Sequence, residues 1–187
     1  MVFIVSVILW VVIAVVALLV LYIIITFNSL IMLKNRVENA WSQIDVQLKR
    51  RYDLIPNLVN TVKGYMKHEK GVLTELTKMR SQLVSGSMNQ KSKASDSISN
   101  ALKTIFAVAE NYPKLQASEN FKMLQEELSG TESKIAFARQ FYNDNVMGLN
   151  NKIQQFPSNV FASMLGFRER EFFKAGEAEK KAVKVEF

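Results

Sequence analysis

Cysteine is absent from this chain, histidine occurs once, at position 68, and proline only three times. Without cysteine there is no disulfide framework, no thiolate metal site and no lipid-modified cysteine anchor, and the redox state of the compartment leaves no mark on the sequence. With His68 as the one imidazole, neither a two-histidine metal site nor a histidine-based triad can be assembled within one chain. Beside Lys67 and Glu69, His68 reads as a surface residue. Phosphate-binding, dinucleotide-binding and nucleophile-elbow patterns are all missing. The carboxylates Glu110, Glu126 and Glu127 stand among lysines as solvated helix faces do, and a glycosidase-type pair would need a cleft around it. No catalytic residue, metal or cofactor is expected, and the chain does not read as an enzyme.

Charge is also missing where it matters most. No lysine, arginine, aspartate or glutamate precedes Lys34, and residues 2–27 are interrupted only by Ser6, Tyr22 and Thr26. As a helix, 26 residues reach about 39 Å, against a hydrocarbon core of about 30 Å, which is enough to cross with some tilt. A cleaved signal peptide would show a basic start, a much shorter apolar run and a small-residue cleavage site, and none of these is present. A buried core helix should show a polar face, and this stretch has none. The expectation is therefore a retained single-pass span. Lys34, Arg36, Lys49, Arg50 and Arg51 come soon after it, so the positive-inside rule places the bundle in the cytoplasm and the N-terminus outside.

Beyond the span the chain is basic and helical. The formal charge of +7 lies wholly in this part, and beside a membrane it reads as attraction to anionic head groups. No zinc-finger, RNP or basic-zipper signature accompanies it, so nucleic acid is not an expected partner. Apolar residues recur in threes and fours at Leu30, Leu33, Val37, Trp41, Ile44, Leu48, Ile55, Leu58, Val62, Tyr65, Val72, Leu76 and Leu83, which predicts one very long amphipathic helix of coiled-coil character. Pro56 predicts a kink or restart, with Asp53 as cap of the new segment. Arg51 falls on the apolar seam and, if buried, requires a carboxylate. Gly64 and Gly71 each weaken the helix by about 1 kcal/mol relative to Ala.

Residues 37–69, VENAWSQIDVQLKRRYDLIPNLVNTVKGYMKHE, resemble the signature region of the LemA family of bacterial membrane-anchored proteins. The similarity extends to residues 119–125, to FARQFYNDNV at 137–146, to FPSNVFASMLGF at 156–167 and to the closing VKVEF, and so covers nearly all of the chain. The resemblance implies one transmembrane helix and then long helices, located in the bacterial inner membrane. It implies no reaction, cofactor or catalytic residue.

Residues 84–99 are rich in Ser, Lys and Asn and read as an exposed loop. Ile98, Leu102, Ile105, Ala109 and Tyr112 predict a second helix, ended by Pro113. After a turn at 114–118, the spacing from Phe121 to Phe156 predicts a third helix of about 38 residues. Pro157 ends it, and Ser158 is positioned to cap a short final helix. The last twenty residues read as a polar tail. The expected fold is all-α, an N-terminal transmembrane helix (1–29) followed by an antiparallel bundle of three long helices and one short (30–167), then the tail (168–187).

Two groups of residues stand out as candidates for interaction. Arg50, Arg51, Asp53 and Pro56 form either a contact site at a kink or an internal ion pair that sets its geometry. Phe156, Val160, Phe161, Met164, Leu165 and Phe167 form either a lid on the bundle or an amphipathic surface for lipid or protein. Trp10 lies within the span and, with Ser6, Ala14 and Ala17, suits helix–helix contact in the membrane. Two functions fit this pattern. One is a non-enzymatic scaffold on the lipid bilayer that forms a homo-oligomer and organises the membrane or recruits partners. The other is an adaptor or sensor that docks on another membrane protein, such as a protease.

Overall fold

The structure, a computed structural model, describes residues 2–66 and 70–173; His68 and the closing VKVEF lie outside the described residues. These residues are all-α, in the order α1 (Val2–Lys63), α2 (Lys70–Arg80), α3 (Gln82–Ser85), α4 (Met88–Ala109), α5 (Pro113–Gln116), α6 (Glu119–Gln154) and α7 (Ser158–Met164), with no strand among them. By contacts the chain divides into two units. One comprises Met1–Asn39 with Asn143–Glu171, the other Ala40–Tyr142 with Phe172–Phe187.

The second unit is an up-down-up-down bundle. Arg50 meets Glu127 and Trp41 meets Tyr142, so α6 runs antiparallel to α1. Asp45 meets Lys91 and Arg51 meets Ser95, so α4 runs parallel to α1. Arg80 reaches Tyr52, which brings α2 back along the end of α1. The core is the seam expected from spacing, with Ile44, Leu48, Ile55, Leu58, Val62 and Leu76 buried beside Ile98, Ile105, Leu128 and Ile135. Each such side chain contributes about 1.5–3 kcal/mol when fully withdrawn from water.

Four expectations about this unit need correction. The long stripe is two antiparallel helices: α1 ends at Lys63, and Tyr65 is exposed while its neighbour Met66 is buried, so the apolar face shifts by one residue at the turn. α1 runs through Pro56 without restarting, and Asp53 caps nothing, its carboxylate being paired with Lys49 four residues back at 2.5 Å. Residues 84–99 are not a loop. Ser87 accepts from the Gln90 backbone N–H while the Gln90 side chain accepts from that of Ser87, a reciprocal cap that starts α4 at Met88. The buried face of that half of α4 is Ser92, Ala94 and Ser95, small and partly polar, so it carries no apolar stripe. Pro113 opens a one-turn helix, α5, where a plain turn was expected.

In the first unit, residues 3–21 of α1 are exposed throughout, which removes the reading of a core helix covered by its own chain. Coverage begins with Tyr22, Ile23, Thr26 and Leu30. α6 comes within reach of α1 here, with Gly148 facing Leu33, and ends at Gln154, close to the expected length. Ser158 does not cap α7. It is buried, and its hydroxyl is placed to donate back to the carbonyls of Lys152 and Gln155 at 2.7 and 2.8 Å. Gly166 takes φ +74°, a conformation that admits glycine readily, and turns the chain after α7. The returning coil is held by Asn150, whose side chain accepts from the Arg170 N–H and donates to the Arg170 carbonyl, both at 2.9 Å.

Candidate functional site

The seam arginine is the centre of a polar layer inside the bundle. Arg51 has no exposed side-chain surface and pairs with Glu132 of α6, which keeps 38% of its side chain exposed. Its Nη1 donates toward the Ser95 carbonyl, Ser95 Oγ and Ser99 Oγ, each at 3.2 Å, and Ser99 Oγ lies 2.7 Å from the Glu132 carboxylate. The small serines of α4 are therefore what make room for a guanidinium. Arg51 Nε and Gln47 Oε1, one helical turn apart, are buried without a hydrogen-bond partner among the described residues. Burial, with the nearby Arg139 cation, lowers the Arg51 pKa to about 10, and Asp96 opposes the shift. Arg139 itself is buried and bonded to Asp96 at 3.1 Å, and stacks over Phe173 at 4.8 Å. Phe173, in the stretch expected to be a polar tail, is buried against Trp41.

The other candidate residues of this region point elsewhere. Arg50 reaches Glu127 at 2.5 Å on the half-exposed surface. Pro56 lacks the N–H that would bond the Tyr52 carbonyl, and Arg80 Nε supplies that donor at 2.8 Å while its guanidinium lies 3.7 Å from the centroid of the Tyr52 ring. The compensation comes from a different helix, and spacing along α1 carries no sign of it. A groove of about 510 Å³ opens between α1 and α6, lined by Ser42, Val46, Lys134 and Phe137. Val46 is 62% and Phe137 71% exposed, and residue spacing singles out neither.

In the first unit, α7 brings the remaining candidates against the apolar stretch. Phe161 packs on Tyr22 with ring centroids 5.8 Å apart, and Phe167 meets Phe27 edge-on at 6.2 Å. Phe156, Val160, Met164 and Leu165 stay exposed. Among the described residues no group of three or more His, Cys, Asp or Glu gathers where it could hold a metal.

These features define a class: an all-α protein with an N-terminal helix long and apolar enough to cross a membrane and a bundle built around a buried arginine. Residues 40–187 match the LemA family, and the chain belongs to that family. It is 30% identical over 158 residues to Protein LemA of Metamycoplasma hominis, covering 82% of this chain and 71% of that protein. It is 24% identical over 175 residues to Magnetosome protein MamQ 2 of Paramagnetospirillum magneticum, and 22% identical over 174 residues to Magnetosome protein MamQ of Magnetospirillum gryphiswaldense. Each alignment with MamQ covers 79% of this chain and 64% of the relative, so the chain spans less than two thirds of those proteins.

Proposed function

We propose that this chain is a single-pass membrane protein whose bundle serves as a non-enzymatic scaffold, self-associating and organising the membrane or recruiting partners on its surface. The observation that carries this reading is the bare apolar helix. Residues 3–21 are each exposed, and the helix that contains them runs on without a break to Lys63. Roughly twenty exposed apolar residues on a helix are tolerable in lipid and not in water. The cations Lys34, Arg36, Lys49 and Arg50 after the stretch favour the cytoplasmic face of the bacterial inner membrane for the bundle. The groove bearing Val46 and Phe137 supports contact with a second copy or another membrane protein, since exposed apolar side chains at a groove favour association.

The test is extraction followed by sizing. Native membranes washed in carbonate should retain the protein, and chemical cross-linking in mild detergent should give a defined homo-oligomer. A monomer recovered with one stoichiometric membrane enzyme would favour a regulatory adaptor instead. Release of the intact chain by the carbonate wash would end both readings.

A further inference from the structure

We infer that the α6–α7 corner and α7 form a second membrane element, a wedge that enters one leaflet beside the transmembrane helix and rests on lipid acyl chains. The wedge depends on the anchor reading and adds a site to it. Height along α1 is what places it in lipid. Phe156, Pro157, Val160 and Phe161 share an apolar groove with Val15, Leu18, Leu19 and Tyr22 of α1. A bilayer that stopped short of Val15 would hold only residues 2–14, about 20 Å of helix, too little for a hydrocarbon core of about 30 Å. Any membrane thick enough to be crossed by α1 therefore also covers the residues packed at that level.

The segment is built to be covered. Between Lys152 and Arg168 there are fifteen consecutive residues without a charge. Phe156 is 84% and Met164 79% exposed, and Val160 lies one turn before Met164 on the same face. Several backbone donors of the segment are satisfied internally, as hydrocarbon favours: Asn159 N–H bonds the Gln155 carbonyl at 2.8 Å, Val160 N–H the Asn159 side chain at 2.9 Å, and Phe167 N–H the Ala162 carbonyl at 3.0 Å. Lys152 and Arg168 at the two ends sit where phosphate head groups would meet them. The short polar face of α7, with Asn159 and Ser163 exposed, suits the boundary between acyl chains and head groups and not the bilayer centre.

Because the chain has no cysteine, one introduced thiol gives one labelling site. The full chain, as Phe156→Cys or Met164→Cys, both at exposed positions, is labelled with an environment-sensitive fluorophore and reconstituted into phosphatidylcholine–phosphatidylglycerol vesicles carrying doxyl-labelled lipid. Ile13→Cys reports the span and Glu126→Cys the water-facing bundle, and circular dichroism confirms that each variant is folded. The expected result is a blue shift and loss of fluorescence at 156 and 164, stronger with a shallow doxyl group than a deep one, with the reverse depth order at 13. Quenching at 13 alone, with 156 and 164 behaving like 126, overturns the wedge and leaves the anchor standing. A blue shift at 156 and 164 without lipid quenching means that protein covers the surface, and also overturns it. Absence of quenching at 13 removes the anchor and the wedge together.

Discussion

Arg80 donates through Nε to the Tyr52 carbonyl at 2.8 Å, the acceptor that Pro56 leaves without a helical partner. The proline is thus tolerated within α1 because a neighbouring helix replaces its missing N–H. Arg80→Ala should lower stability by about 1.5 kcal/mol, the smaller end of the range for a charge-assisted hydrogen bond, given the partial exposure of Arg80. In a Pro56→Ala background the backbone donor is restored, and the same change should cost only about 0.5–1 kcal/mol from lost stacking on Tyr52. Thermal unfolding of the four variants in detergent reads this cycle. Equal costs in both backgrounds would mean that Arg80 does not compensate for Pro56.

Breaking the buried pair and replacing it should differ sharply. Glu132→Ala strands a guanidinium with no exposed surface and should cost about 3 kcal/mol, at the low end for a buried pair because Glu132 is partly solvated. Arg51→Met together with Glu132→Gln removes both charges at similar volume and should cost much less, or nothing. Chemical unfolding midpoints of the two variants decide the matter. If they fall together, the pair is not what burial makes of it.

The lowered Arg51 pKa fixes the sign of one pH effect. In the unfolded chain the guanidinium keeps its proton well above the pH, about 10, at which the folded protein begins to release it. The unfolded state then binds more protons, so the stability of the wild type relative to Arg51→Met should rise with pH above about 10, by at most about 1.4 kcal/mol per unit. Below that pH the burial cost is present in full and this group contributes no slope. Unfolding free energies of both proteins across the alkaline range test this, and a falling difference there would contradict it.

The start of α4 offers a fourth test. Ser87→Ala removes half of the reciprocal cap and should cost about 1 kcal/mol. Gly86→Ala should cost more, because a Cβ there would stand 2.6 Å from the Gln82 carbonyl oxygen and 2.9 Å from Gln90 Cβ. Melting temperatures should therefore fall in the order wild type, Ser87→Ala, Gly86→Ala.

Residue patterns made α6 readable because its inner face is a regular apolar series from Phe121 through Leu128, Ile135, Tyr142 and Leu149. They made the need of Arg51 for a carboxylate readable too, since a cation on an apolar seam has few alternatives. The identity of that carboxylate was hidden, because Glu132 is distant in the chain and looks like any exposed helix residue. The first half of α4 was hidden for a related reason: its buried face is serine and alanine, shaped to accept the arginine, and hydrophobic spacing cannot register such a face. The end of α1 was missed where Tyr65 continued the count of threes and fours across a turn.

The charged pairs within the bundle have a consequence for alignment. Arg50 with Glu127, Arg51 with Glu132, Lys91 with Asp45 and Arg139 with Asp96 tie α1, α4 and α6 at separate heights. A purely greasy interface can slide by one turn, about 5.4 Å, and find equivalent neighbours. Here the same slip would set every guanidinium opposite the wrong residue, so the helices have a single notch in which they mesh.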